Sequence, residues 1–534
     1  MGNKILSGIL LMFVYFIGYS LSPPDYYPRN WNVDVKHYNF SLTLSDTSDM
    51  ISGNTVIRVF FSEKTDHLVL DLVSSNEEGA GMQVKNVLLN EEEVPYTHRN
   101  DQLIITPATP FKKSTEITIA ITYSGIPIDG LLISKNKFGE RTFFGDNWPD
   151  RARHWLPTVD HPSDKAGVDF IITAPEKYQV VGNGTLIEES NMEDGMKLTH
   201  WHEPVDISTK VMVIGVSRFA VKLSGMVRDI PVQAWVYPQN RVDGFHDYAP
   251  AVMILNFYDT LIGAYSYKKL ANVQSKTRYG GMENASNIFY YENSVTGQGT
   301  VDELIAHEVA HQWFGNSATE KDWHHIWLSE GFATYFTKLY VENFKGKHEF
   351  QQQMIKDRER VVSYYDENPV PVVNTAIKEY TRLLNTNSYQ KGSWVLHMLR
   401  YKVGYANFIN GIRYYYTSCK NSNVLTEDFK NAIEEVSGME LDSFFNQWIF
   451  NAGHPELNIT WHYDIQRKEV TINIMQTQEF VFEFPLDIGI NGEIYTTRVS
   501  KRDQHFTFAL SEAPYELIPD PDTKLLFEAS IEKM

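Results

Sequence analysis

The 534-residue sequence has one cysteine, no excess of positive charge and, after its first two dozen residues, no long hydrophobic run. Cys419 alone cannot form an intrachain disulfide or a paired-thiolate site, so any metal must be held by histidines and carboxylates. The 48 Lys plus Arg against 67 Asp plus Glu give a net charge of −19. Such a chain repels a phosphate backbone, which excludes nucleic acid as an expected partner.

The N-terminal residues differ in character from the rest of the chain. Lys4 precedes a mostly apolar run over residues 5–21, and Pro23-Pro24 follow it. This pattern predicts a signal peptide or signal anchor over residues 1–22. Either one directs the remainder across a membrane, so we expect an exported protein whose only membrane attachment is this segment if it stays uncleaved.

Hydrophobic periodicity divides the remainder into three predicted domains and indicates an α+β multidomain chain. Over residues 23–225 apolar residues alternate, as in the run from His37 to Leu44, which predicts a β-rich domain. Over residues 226–450 they recur at helical spacing, as at Phe429, Ile433 and Val436, which predicts a mainly helical domain. Alternation returns over residues 451–534, which predicts a small β domain.

One helical segment carries a metal-binding pattern, His307-Glu308-Val309-Ala310-His311. Residues four apart share a helix face, so both imidazoles can reach one ion while Glu308 lies beside it. A catalytic zinc ion takes three protein ligands and leaves one place for water. Glu330 follows His311 after eighteen residues on the next predicted helix and is the candidate third ligand.

Two further motifs flank this pattern. Upstream, Gly280, Gly281, Met282, Glu283 and Asn284 are consecutive. Paired glycines are typical of a turn, but they also leave a strand edge open to a peptide backbone, with Glu283 projecting its charge into a cleft. Downstream, Tyr389 precedes a helical run; its hydroxyl either packs in the core or donates to a developing oxyanion.

These motifs, in this order, resemble the aminopeptidase N family of zinc exopeptidases, which are gluzincin metallopeptidases and include an epoxide hydrolase. The run from Arg151 to Pro157 is similar to a family hallmark, as is the run from Leu441 to Trp448. The resemblance implies an N-terminal β-saddle, a thermolysin-like catalytic domain and a C-terminal β-sandwich. It also suggests a short three-domain form without the large helical domain of many relatives.

The resemblance implies a role for each motif residue. One zinc ion is expected on His307, His311 and Glu330, with Glu308 as general base and Tyr389 as oxyanion donor. Gly280, Gly281, Met282, Glu283 and Asn284 are expected to bind substrate, with Glu283 holding the free amine of a peptide. Gly281 stands where most relatives have Ala. Many relatives place a second Glu or Gln a few residues before the hallmark. Trp148 occupies that place in an ungapped alignment, and Asp146, the nearest acid, is the candidate for a second contact with the substrate amine.

The favoured hypothesis is a monomeric zinc aminopeptidase that removes neutral or basic N-terminal residues from peptides with a free amine. Two alternatives remain: an epoxide hydrolase with aminopeptidase activity, and an inactive scaffold or receptor. Glycosylation sequons occur at Asn39, Asn183, Asn284 and Asn458. A glycan on Asn284 would obstruct the cleft, which favours a bacterial periplasm or cell envelope over a glycosylating secretory route.

Overall fold

The computed structural model describes residues 25–534. The predicted signal segment, residues 1–22, lies outside these residues. Within residues 25–534, none of the helices combines the length and the apolar character needed to cross a membrane.

The N-terminal domain is built on a sheet of eight strands, in agreement with its alternating pattern. Tyr38, Phe40 and Leu42 point into the core while the residues between them face outward. In spatial order the strands are Thr185–Asn191, Met196–Ser208, Lys165–Pro175, Val33–Thr43, Ile51–Phe61, Thr115–Ile126, Gly81–Leu89 and Glu92–Glu93.

Two smaller sheets complete this domain and cover the apolar face of the first. One consists of Gln179–Gly182, Ile214–Ser217, Arg141–Gly145 and Leu131–Lys135; the other consists of Leu68–Asp71, Gln102–Ile105 and Tyr96–Arg99. The Arg141–Gly145 strand leads directly into the segment around Trp148. The Trp148 ring contacts the rings of Tyr279 and Trp323 in the second domain.

The second domain begins with a five-stranded sheet whose first strand, Ala220–Val227, contains the predicted boundary at residue 225. This strand pairs with Ile230–Val236, so the sheet starts several residues before the predicted domain does. Its remaining strands are Leu270–Ser275, Asn287–Tyr291 and, at the outer edge, Gly281–Met282.

Helices make up most of the rest of this domain, in agreement with the helical spacing of its apolar residues. The histidine helix (Asp302–His311) packs against the glutamate helix (Trp327–Phe344). The other α-helices are Arg241–Asp247, Ala251–Leu261, Lys347–Glu367, Gly392–Val403, Tyr405–Cys419, Thr426–Ser437 and Asp442–Phe445. Single π turns span Asn387–Lys391 and Asn446–Phe450, and the short strands Ala318–Glu320 and Ser422–Val424 pair in parallel.

The C-terminal domain is a small two-sheet sandwich, as predicted. One sheet has the order Asp503–Ala509, Glu469–Gln476, Glu456–Asp464 and Glu528–Lys533; the other has the order Glu493–Val499, Phe484–Ile490 and Leu517–Pro519. Ile459, Ile472 and Leu486 are fully buried between them.

Candidate active site

Three side chains from the two packed helices direct one donor atom each at a common point. His307 Nε2 lies 3.1 Å from His311 Nε2, and Glu330 Oε2 lies 3.5 Å and 3.3 Å from these two nitrogens. Donor atoms at about 2.0–2.1 Å from a tetrahedral zinc ion are separated by about 3.3–3.4 Å. The structure therefore brings the three predicted ligands together with the spacing that such an ion requires.

The surroundings of these donors leave them available to a metal. His311 Nδ1 lies 3.2 Å from the Phe314 carbonyl oxygen and 3.0 Å from Ser329 Oγ. Because a carbonyl only accepts, Nδ1 carries the proton and Nε2 presents its lone pair to the common point. Glu330 Oε2 is buried and has no hydrogen-bond partner among residues 25–534. A buried, unpartnered carboxylate oxygen facing two imidazole nitrogens fits a divalent metal ion.

Glu308 projects from the middle turn of the histidine helix into the same cleft and is 4% exposed. Burial raises the pKa of its carboxyl group well above the ordinary value, and Glu283 and Glu330 raise it further while His311 opposes them. A carboxylate with a raised pKa accepts and returns protons more readily than an exposed one near neutral pH. Glu308 therefore has the properties of a general base.

Glu283 lies across the cleft from the metal ligands, just after the edge strand Gly281–Met282. Its carboxylate, that of Glu308 and the His311 imidazole have donor atoms within 4.8 Å of one another. Gln312 Nε2 and Asn316 Nδ2 donate to the Glu283 backbone carbonyl at 2.8 Å and 2.5 Å. The segment after the histidine helix thus fixes the position of Glu283 relative to the three predicted metal ligands.

Gly281 makes room for the general base. A Cβ atom built on Gly281 would lie 2.2 Å from Glu308 Oε1, whereas one on Gly280 would meet only Leu304 Cδ1 at 4.0 Å. Gly281 and Met282 pair with Tyr290 and Phe289 on one side and form the end of the five-stranded sheet. Their other edge is therefore open to an extended chain.

Tyr389 lies in the π turn Asn387–Lys391, and its ring stacks on that of His307 with centroids 6.1 Å apart. A π turn is a frequent device for placing a functional side chain. Burial, together with the carboxylates of Glu330 and Glu283, raises the pKa of Tyr389 well above its ordinary value. Its hydroxyl stays protonated at neutral pH and can donate a hydrogen bond.

The cleft wall includes most of the predicted substrate-binding residues and three residues that were not predicted to bind substrate. Gly281, Met282 and Glu283 line it with the ligands, Glu308 and Tyr389. Trp148, Tyr279 and Leu384 are the additions. Trp148 could have been found, because it occupies the place where relatives carry a second acid; the other two have no local signal.

The structure does not place Asp146 in the cleft. Its fully buried carboxylate accepts hydrogen bonds from Arg151 Nη2 at 2.6 Å and from the Arg278 backbone N–H at 3.1 Å. Asp146 was expected to contact the substrate amine; in the described residues its carboxylate instead ties the first domain to the segment before the edge strand.

Other candidate residues lie near the cleft without lining it. Gly280 is exposed beside it, and Asn284 is fully buried behind Glu283. His324 and His325, which could be mistaken for ligands, are engaged elsewhere: His324 Nε2 bonds the Ile377 carbonyl oxygen and His325 Nδ1 lies 2.8 Å from Thr426 Oγ1.

Two packed helices that carry a His, His, Glu donor set and an adjacent glutamate are typical of thermolysin-like metallopeptidases. In agreement with this class, residues 34–211 match the Peptidase M1 N-terminal domain and residues 248–448 match the Peptidase family M1 domain. The chain belongs to peptidase family M1, as the sequence motifs predicted.

Similar proteins support this assignment. The chain is 28% identical over 345 residues to glutamyl aminopeptidase of Homo sapiens, covering 61% of this chain and 36% of that protein. It is 25% identical over 505 residues to leucyl aminopeptidase of Saccharolobus solfataricus, covering 89% and 61%. The crystal structure of Legionella pneumophila aminopeptidase A in complex with aspartic acid shares the fold, with a TM-score of 0.81, 18% identity and coverage of 94% and 60%. The chain thus spans about a third to three fifths of these relatives.

Proposed function

We propose that the protein is a zinc aminopeptidase that hydrolyses the N-terminal residue from peptides. One observation supports this proposal above the others. Glu283, Glu308 and Glu330 are buried side by side, and the ion pairs of residues 25–534 give these carboxylates no lysine or arginine partner. Such a cluster of buried carboxyl groups can stay ionised only beside cations, and a divalent metal ion together with a substrate ammonium group supplies them.

The residues of this chain have distinct tasks in that reaction. His307, His311 and Glu330 would hold zinc, which supplies Lewis-acid polarisation of the scissile carbonyl and activation of water. Glu308 takes the proton of the attacking water and delivers it to the departing amine. Tyr389 donates its hydroxyl hydrogen to the oxygen on which negative charge develops.

Glu283 accounts for removal of a single residue. A carboxylate in this position pairs with the ammonium group of a free N-terminus, which places the first peptide bond beside Glu308. The names of the relatives, glutamyl and leucyl aminopeptidase, agree with an exopeptidase. The residues that line the described cleft include no lysine or arginine to pair with an acidic first side chain, which favours neutral or basic first residues.

The test compares aminoacyl-naphthylamides that have a free amine with their N-acetylated forms. We expect hydrolysis of the free forms only, and leucyl, alanyl or lysyl substrates to be better than the glutamyl one. Glu283→Gln should reduce kcat/KM for free substrates about a hundredfold or more, because the ammonium loses a buried partner. Glu303→Gln, at a partly exposed position of the histidine helix, is the control. Equal rates on free and blocked substrates would refute the anchor role.

We further propose that the protein acts as a monomer in the periplasm or cell envelope. The proposed export rests on Lys4 and the apolar run after it. The buried positions of Asn183 and Asn284 are compatible with a compartment that does not glycosylate. N-terminal sequencing of the mature protein from fractionated cells and its mass by light scattering would test it; an intact N-terminus in the cytoplasmic fraction would contradict export.

A further inference from the structure

A second cluster of imidazoles around a carboxylate lies on the outer face of the eight-stranded sheet. Asp169 Oδ2 lies 2.5 Å from His37 Nε2. Asp169 Oδ1 lies 2.6 Å from His200 Nε2 and 2.9 Å from His202 Nδ1. These four residues, called here the sheet cluster, have no place in the proposed peptidase reaction.

Strand register places the members of the sheet cluster side by side. The strand Val33–Thr43 runs parallel to Lys165–Pro175, where Asn39 pairs with Asp169. On its other side, the strand Lys165–Pro175 pairs with Met196–Ser208, where Asp169 is opposite His202. The neighbours Tyr38, Phe170 and Trp201 are buried in the core. The backbones that carry the cluster are therefore fixed by central strands of a sheet and not by a loop.

The donor set of the sheet cluster is that of a transition-metal site. Ligand atoms of His37, Asp169 and His202 all lie within 4.8 Å of one another, as do those of His307, His311 and Glu330. Two imidazoles and one carboxylate suit zinc, copper or nickel, whereas magnesium and calcium prefer oxygen donors alone. The His37, Asp169 and His202 side chains are 17%, 13% and 35% exposed, so an ion can reach them from solvent.

We propose that the sheet cluster binds a divalent transition-metal ion of the zinc type through His37, His202 and Asp169, with His200 steadying the carboxylate. His37 and His202 each give the ion the lone pair of the ring nitrogen that faces Asp169. The ring proton of each then resides on the other nitrogen. The present donor separations of 2.5 Å and 2.9 Å must widen toward the about 3.3 Å of a tetrahedral site. The ion is therefore bound more weakly than at the buried ligands.

This inference is independent of the proposed peptidase function, because the ligands lie in the other domain. The decisive experiment uses the full chain, with Zn²⁺ as the probe. Protein is dialysed against a series of zinc buffers, and metal content is measured by mass spectrometry. We expect one zinc per chain at low free zinc and a second at higher free zinc.

Variants identify the second site. Asp169→Asn and, separately, His202→Asn should weaken the second zinc at least tenfold while the first zinc and the hydrolysis of aminoacyl-naphthylamides stay unchanged. His67→Asn, at an exposed histidine of the same domain, is the matched control and should retain both ions. Thermal unfolding of each variant shows that it is folded. His202 is the most exposed member, so its variant remains informative if Asp169→Asn does not fold.

Diffraction data at the zinc absorption edge, from crystals soaked in Zn²⁺, place the second ion directly. An anomalous peak between His37 and His202 supports the proposal. Uptake of only one zinc at every concentration, a second zinc that survives both variants, or a soaked crystal without this peak would overturn it.

Discussion

The two clusters of histidines and carboxylates contain nearly the same chemical groups, but the protein treats them differently. In the buried one, donor atoms stand 3.1–3.5 Å apart, and Glu330 Oε2 has no hydrogen-bond partner. In the sheet cluster, the Asp169 carboxylate already accepts contacts from three imidazoles at 2.5–2.9 Å. The donor atoms of the first are spaced as a metal ion requires, whereas those of the second are already within hydrogen-bond distance of one another.

Burial and support from neighbouring groups explain the difference. The far nitrogen of His311 is held by Ser329 and the Phe314 carbonyl, so the imidazole keeps its orientation before any ion arrives. The sheet cluster has rigid strands beneath it, but its side chains border solvent. Affinity therefore depends on how the ligands are held as much as on which ligands are present.

The largest expected difference between the clusters is in zinc binding and activity after the carboxylate of one or the other is replaced. Glu330→Gln should abolish both tight zinc binding and peptidase activity, because a buried anionic ligand is lost. Asp169→Asn should leave both at the wild-type level. Zinc content and naphthylamide hydrolysis, measured side by side, test this contrast. A fully active Glu330→Gln variant would break the comparison.

The next effect separates metal binding from proton transfer within the buried site. Glu308→Gln should reduce kcat by about 10²–10⁴ because the general base is gone, whereas its zinc content should stay at the wild-type level. Glu303→Gln, on the same helix, serves as control. If the Glu308 variant lost zinc as well, Glu308 would have to be regarded as part of the metal site.

Support of the ligands is the third point of comparison. Ser329→Ala should weaken zinc binding about 10–100-fold, because the hydrogen bond that orients His311 is lost. His200→Ala, which removes a comparable contact to Asp169, should leave the tightly bound zinc unaffected. Competition with a chelator measures both. An unchanged affinity in Ser329→Ala would show that the Phe314 carbonyl alone is sufficient.

The smallest effect is expected where the backbone approaches the base. Gly281→Ala should lower kcat by no more than about tenfold: the new methyl group must displace the Glu308 carboxylate, but most relatives have Ala at this position. Gly280→Ala, in open surroundings, should have little effect. Full activity of both variants would show that Glu308 can work from a second position.

The sequence predicted much of the buried site because its main elements are local. His307, Glu308 and His311 share one helix face, and Glu330 follows on the helix packed against it. The supports of these residues were not predictable in the same way, since Ser329 and the Phe314 carbonyl have no distinctive spacing. The partner of Asp146 was not predictable either: Arg151 binds its carboxylate in the folded chain, and the sequence does not show which way that carboxylate faces.

The sheet cluster shows why long-range features escape sequence analysis. His37 and Asp169 are 132 residues apart, and only the parallel pairing of their strands brings them together. The alternation of apolar residues predicted that these strands exist and which residues face outward. It could not predict which strands are neighbours. The pairing of Ala220–Val227 with Ile230–Val236 across the predicted boundary at residue 225 is another long-range feature that alternation alone does not show.

The shortness of the edge strand Gly281–Met282 limits what the proposed enzyme can read in a peptide. Two residues can form backbone hydrogen bonds with only the N-terminal end of a bound peptide. The residues further along the peptide therefore contribute little to recognition. That end must also be unfolded and long enough to leave the surface of its parent molecule. Folded proteins whose N-termini are inaccessible would therefore not be substrates, whereas unfolded peptides of many different sequences would be.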